Sequence, residues 1–125
     1  MEYKDNVIGL QHIGIPTRQI NTSIKFYESI GFIKKGEYNN NKVCFMELKN
    51  IIIEIYEECT VNYTDGAINH FAINVKNINE VFEMMQEKKV KIIEGITELP
   101  FWDRGIQFFV IEGINRERIE FSQYL

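Results

Sequence analysis

An internal repeat constrains this chain more than any other feature. Placing LQHIGIPTRQINTSIKFYESIGF (10–32) over INHFAINVKNINEVFEMMQEKKV (68–90) needs no gap and a shift of 70 − 12 = 58 residues. The shift carries His12 onto His70, Ile15 onto Ile73, Ile20 onto Ile78, Asn21 onto Asn79 and Phe26 onto Met84. A repeat of this length means one supersecondary plan used twice, so every other feature has to be read in both copies. The chain has two histidines, and both fall at the same repeat position.

Each copy opens with an apolar alternation of period two, the pattern of a half-buried strand. His12 shares a face with Leu10, Gly14 and Pro16, and His70 with Ile68, Ala72 and Asn74. The polar segments RQIN and KNIN follow, with asparagine suited to a helix N-cap. Then come helical spacings: Ile20, Ile24, Phe26, Tyr27 and Ile30 in the first copy, Ile78, Val81, Phe82 and Met85 in the second. Gly31 stops the first helix. Three β-rich runs complete each copy: FIKKGEY, KVCFMELK and IIIEIYE, then KVKIIEG, IQFFVIEG and RIEFSQYL. A longer break, ITELPFWDRG, separates the first two runs of the second copy. The expectation is an α+β fold, strand–helix–strand–strand–strand twice, with modules at 7–58 and 67–124 in one domain spanning 1–125. Four residues, TVNY at 60–63, form the expected linker.

A formal charge of −4 and a pI near 5.2 provide no basic footprint for nucleic acid. The opening MEYKDNVIGL lacks a signal-peptide core, and no apolar run is long enough for a membrane helix, so a cytoplasmic protein with a small-molecule partner is expected. Cys44 and Cys59 have no CxxC spacing and read as reduced thiols.

The last strands also align. IIIEIYE over ERIEFSQ puts Glu54 on Glu120, a shift of 120 − 54 = 66. From His to Glu the copies span 54 − 12 = 42 and 120 − 70 = 50 residues, and the extra eight are attributed to the loop holding LPFWDRG. A carboxylate between Ile53 and Ile55, or between Ile119 and Phe121, must be paired or bound to a metal if it faces a concave sheet surface. Two imidazoles and two carboxylates, His12, Glu54, His70 and Glu120, would bind one divalent ion, with Ni, Zn, Co, Mn and Fe(II) all suited to such a set.

These residues, in LQHIGIPTRQINTSIKFYESIGF, IIIEIYE, INHFAINVKNINEVFEMM and RIEFSQ, make the chain resemble the vicinal oxygen chelate superfamily. That group contains glyoxalase I, the bleomycin-resistance proteins and the extradiol dioxygenases. The resemblance covers residues 7–124. It implies two βαβββ modules forming a cupped, partly closed mixed β-barrel with helices outside, around a metal held by His12, Glu54, His70 and Glu120. The order His, Glu, His, Glu is that of bacterial glyoxalase I, whereas epimerases next to thioesters usually have Gln at the position of Glu54. The implied activity is that of a metal-dependent lyase or isomerase. It would act on a small α-oxygenated carbonyl compound or its thiol adduct, with proton transfer through an enediolate and Glu120 or Glu54 as the base. A homodimer is implied as well.

Two positions depart from glyoxalase I. Pro16 stands where an arginine for glutathione is common, and Glu58, where an asparagine is usual, would repel a glutathione carboxylate. Phe101, Trp102 and Arg104 in the LPFWDRG loop are expected either to bind substrate, as a wall over the metal, or to form an apolar anchor with a surface ion pair. The alternative functions are a metal-free, ligand-sequestering protein of bleomycin-resistance type and a thioester epimerase.

Overall fold

The structure, a computed structural model, describes residues 2–60, 66 and 68–125. Most of the expected linker and residue 67, the expected start of the second module, lie outside the described residues. After a short helix α1 (Tyr3–Asn6), the first module comprises β1 (Ile13–Thr17), α2 (Ile20–Ser29), β2 (Ile33–Tyr38), β3 (Val43–Leu48) and β4 (Ile51–Glu57). The second comprises β5 (His70–Asn74), α3 (Ile78–Glu87), β6 (Lys91–Leu99), β7 (Ile106–Glu112) and β8 (Arg118–Tyr124). Each is a βαβββ unit, and each forms its own four-stranded mixed sheet, ordered β1-β4-β3-β2 and β5-β8-β7-β6. β1 runs parallel to β4 and β5 parallel to β8, so the first and last strands of each module lie side by side.

Local chemistry accounts for the helices. Gly31, at φ +104°, ends α2 in the left-handed region, and the Phe32 N–H closes the turn on the Tyr27 carbonyl at 3.0 Å. Asn77 caps α3 by accepting from the Glu80 N–H at 3.2 Å. The matching Gln19 makes no side-chain cap on α2. Its own N–H is instead bonded to Thr17 Oγ1 at 3.0 Å. The expected asparagine cap is therefore present only in the second copy.

Alternation sorts each strand's side chains between two faces. Ile53, Ile55, Cys44 and Met46 lie beneath α2, and Ile119, Phe121, Phe109 and Ile111 beneath α3. Burying each such isoleucine contributes about 1.5–3 kcal/mol. Cys44 and Cys59 are both free thiols. Burial, then the Glu37 carboxylate, pushes the buried Cys44 thiol above its ordinary pKa.

The ladders revise the sequence expectation about the eight extra residues. Gly36 pairs with Phe45 and Glu94 with Val110, so the shift is 94 − 36 = 58 on the first strand of the hairpin and 110 − 45 = 65 on the second. Seven of the eight residues therefore enter between β6 and β7, partly as strand: β6 runs through Leu99, with register shifts after Ile92 and Glu94. The eighth lies in the β7–β8 turn, because the shift reaches 120 − 54 = 66 on β8.

That turn reaches the other module. Asn115 accepts from Thr17 Oγ1 at 2.8 Å and donates to Ser23 Oγ at 2.9 Å, and Glu117 accepts from Tyr27 Oη at 3.1 Å. Thr17, Ser23 and Tyr27 are fully buried. Burial first, and Glu117 second, raises the Tyr27 pKa well above its ordinary value, so its proton stays in place to donate. No helix among the described residues is long and apolar enough to cross a membrane.

Candidate metal centre

On each sheet the face away from the helix carries a row of directly opposed residues. In the first module it reads Gly14, Glu54, Phe45, Gly36; in the second, Ala72, Glu120, Val110, Glu94. The two glutamates thus hold the same ladder position. His12 Nε2 lies 3.4 Å from Glu54 Oε1, and His70 Nε2 lies 3.5 Å from Glu120 Oε1.

Behind each histidine stands an amide. Gln11 Oε1 lies 3.0 Å from His12 Nδ1, and Asn69 Oδ1 lies 3.0 Å from His70 Nδ1. An amide oxygen only accepts, so this contact places a hydrogen on each Nδ1 and leaves Nε2, the nitrogen that faces the glutamate, as the one that could bind an ion. Such a support fixes the tautomer and ring direction of a metal-binding histidine. Gln11 and Asn69 were not singled out from the sequence, although they share a repeat position, 69 − 11 = 58. A third support has no counterpart: Ser122 Oγ donates to Glu120 Oε2 and leaves Oε1 directed toward His70, whereas the matching residue beside Glu54 is Tyr56.

The donor set fits a divalent ion. Imidazole nitrogen and carboxylate oxygen bond such ions at ~2.0–2.2 Å, which separates two ligand atoms by about 3.0–3.5 Å at octahedral to tetrahedral angles. Both His–Glu gaps fall in that range. Each pair nevertheless supplies only two ligands, and among the described residues no three His, Cys, Asp or Glu side chains come together within the chain. The structure brings His12 to Glu54 and His70 to Glu120 but does not gather all four.

Two clefts adjoin the pairs. One, of about 410 Å³, runs between the edges of β1 and β5 and is bordered by both histidines with Leu10, Ile13, Ile68 and Phe71. The other, of about 420 Å³, covers the β8 side of His70 and Glu120, with Ile93, Phe108, Val110 and Arg118. Phe101, Trp102 and Arg104 line neither. Trp102 packs edge-on against Tyr124, ring centroids 5.3 Å apart, in a separate depression with Arg104. Tyr124 lies four residues beyond Glu120, about 13 Å along β8.

Paired βαβββ modules have counterparts among known proteins. Residues 9–121 match the Glyoxalase/Bleomycin resistance protein/Dioxygenase superfamily. The chain belongs to this superfamily. It is 30% identical to YwbC of Bacillus subtilis (strain 168), a protein described as uncharacterized, with 91% of this chain and 96% of the relative covered. Its fold is that of a glyoxalase/dioxygenase from Nostoc punctiforme (TM-score 0.79, 15% identity, covering 100% of this chain and 97% of that one). A glyoxalase/bleomycin resistance protein/dioxygenase from Alicyclobacillus acidocaldarius is similar too (TM-score 0.78, 12% identity, covering 94% and 92%). At these identities the two structures speak for the superfamily fold alone.

Proposed function

We propose that this superfamily member is a metal-dependent lyase or isomerase of glyoxalase type, acting on a small α-oxygenated carbonyl compound or its thiol adduct. The observation that carries the proposal is the duplicated His–Glu pair, each histidine backed by an amide through Nδ1. A sequestering protein needs no such ligand geometry. A divalent ion bound there would act as a Lewis acid, favouring negative charge on substrate oxygens.

The chain's own residues supply the rest. His12 and His70 hold the ion through Nε2, and Glu54 and Glu120 complete the set. Glu120 is the proposed base for the proton beside the carbonyl, with Glu54 the second candidate. Ser122 holds one oxygen of Glu120 and leaves the other directed into the site, an orientation in place before substrate arrives. Glutathione is not the proposed thiol. Glu58, exposed just beyond β4, stands beside Arg18 and offsets the charge that would otherwise attract a glutathione carboxylate.

Half a site per module leads to a further part of this reading: the ion sits between two copies of the chain, held by the first pair of one and the second pair of the other. The sheet edges support it. β2 and β6, the outer edges, carry register shifts and the lysines Lys34, Lys35 and Lys91, devices that discourage pairing. β1 and β5, the inner edges, read IGIPT and HFAIN and hold neither lysine nor bulge, Pro16 being the one residue there that blocks a backbone pairing. Ile8 and Leu10, just before β1, are 104% and 83% exposed, apolar surface that a second copy would cover.

The test is metal content of the purified protein by plasma mass spectrometry, with its mass in solution. About one divalent ion per chain in a dimer, lost in the His70→Ala/Glu120→Ala variant, is the expected result. A protein that stays metal-free after incubation with Ni, Zn, Mn and Co would overturn the proposal.

A further inference from the structure

The two chelating rows differ in what surrounds them, and the difference bears on the substrate. Beside Gly14, Glu54, Phe45 and Gly36 runs a second row on the same face: Pro16, Tyr56, Val43, Tyr38. Its counterpart in the second module is Asn74, Ser122, Phe108, Thr97. The first face is aromatic where the second is largely polar.

The aromatic side chains are organised around the ligand pair. The Phe45 ring meets the His12 ring edge-on, with centroids 5.6 Å apart and planes at 89°. Tyr38 meets Phe45 at 6.1 Å and 75°. Tyr38 reaches that position by lying back over Gly36: a Cβ on Gly36 would sit 2.9 Å from the Tyr38 hydroxyl and 3.0 Å from its ring. Gly36 is not in the left-handed region, so the backbone does not require glycine there. What requires it is the tyrosine. Gly14, at the other end of the row, likewise leaves the Tyr56 ring and Glu54 Oε1 close by, 3.5 and 3.9 Å from where its Cβ would be. Tyr38 is 61% exposed despite its ring contact with Phe45.

We infer that Tyr38, Phe45 and Tyr56 form a subsite for a flat, apolar substituent of the substrate, an aryl group attached at or next to the chelated carbonyl carbon. This rests on the reading of His12 and Glu54 as metal ligands and names the substrate class for that site. The reach is suitable: Phe45 stands directly opposite Glu54, a cross-strand separation of about 5 Å between Cβ atoms. An aryl ring within a bond or two of oxygens held beside Glu54 meets Phe45 and Tyr38 through offset or edge contacts, the arrangements aromatic pairs prefer. A methyl group in the same place leaves the rings in water.

Benzohydroxamate and acetohydroxamate test this without turnover, because both chelate through the same two oxygens and differ only in phenyl or methyl. Binding of each to the metal-loaded protein is measured by calorimetry. The phenyl probe is expected to bind about tenfold more tightly. Tyr38→Ala and Gly36→Ala, the second keeping every ring but displacing Tyr38, are expected to remove most of that preference, with acetohydroxamate affinity, metal content and oligomeric state unchanged. Equal preference in the variants overturns the subsite. So does dissociation of the oligomer on Tyr38→Ala, since the wall would then be an interface between copies. If metal is retained, acetohydroxamate binds and the phenyl probe gains nothing, the aryl subsite fails while the chelate site stands. If no metal or neither probe binds, the reading beneath it falls and takes the subsite with it.

Discussion

The two modules share a chelating row and almost nothing around it. Glu54 and Glu120 occupy the same ladder position, and His12 and His70 face them at nearly the same distance, each histidine held from behind by an amide. Around them, the first module places Phe45, Tyr56 and Tyr38, whereas the second places Val110, Ser122 and Thr97. The contact between modules is equally one-sided. Asn115 and Glu117 dock on Thr17, Ser23 and Tyr27, while the matching β3–β4 turn leaves Lys49 and Asn50 exposed. The repeat partners of Thr17, Ser23 and Tyr27 are Val75, Val81 and Met85, which cannot form such a network. What the duplication keeps is the His–Glu pair with its amide support, the set on which the proposed ion depends. What it has let diverge is the set of residues around that pair and the polar seam that fixes one module on the other.

The comparison breaks most visibly at the ligands. Removing either pair, as His12→Ala/Glu54→Ala or His70→Ala/Glu120→Ala, is expected to lower metal affinity beyond the ~100-fold upper end seen for outer-shell changes. Equilibrium dialysis against Ni or Zn should find the two losses alike, and metal retained by one variant would confine the site to one module. Next comes the seam. Asn115→Ala removes two buried hydrogen bonds and leaves Thr17 and Ser23 short of partners, a cost of about 2–3 kcal/mol in denaturant unfolding. Its exposed counterpart, Asn50→Ala, should stay within about 0.5 kcal/mol. Equal effects would mean that the polar seam does not fix the modules.

Outer-shell changes should be milder and matched. Gln11→Leu and Asn69→Leu are each expected to weaken metal binding by ~10–100-fold, and a difference between them would show which histidine depends more on its support. The smallest effect concerns the thiols. Mass spectrometry after brief iodoacetamide treatment of the folded protein should find Cys59 modified and Cys44 intact, because Cys44 is buried and its pKa is raised.

The symmetric half of this account was legible in the sequence. Period-two alternation and helix spacing located both modules, and a constant shift of 58 through strand and helix placed His12 on His70. The glutamates followed because IIIEIYE aligns on ERIEFSQ in the last strand of each copy. The unsymmetrical half was not legible, for a physical reason. Rows such as Gly14, Glu54, Phe45, Gly36 draw one residue from each of four strands, and their register passes through bulges that a one-dimensional alignment does not show. The Asn115 network joins residues 98 and 92 positions apart. Nor does alignment show that Trp102 of the LPFWDRG loop packs on Tyr124, in a depression separate from the clefts at His70. The amides at Gln11 and Asn69 were visible at one repeat position, but their role appears only once the imidazoles have a direction.

The central claim is that one ion is held by the first pair of one copy and the second pair of another. Mixing the two ligand-pair variants tests it most directly, because a heterodimer of them contains one site with both pairs damaged and one with both intact. After subunit exchange, verified by native mass spectrometry, the account predicts that metal binding returns at one ion per heterodimer. Exchange without any return of metal would contradict it.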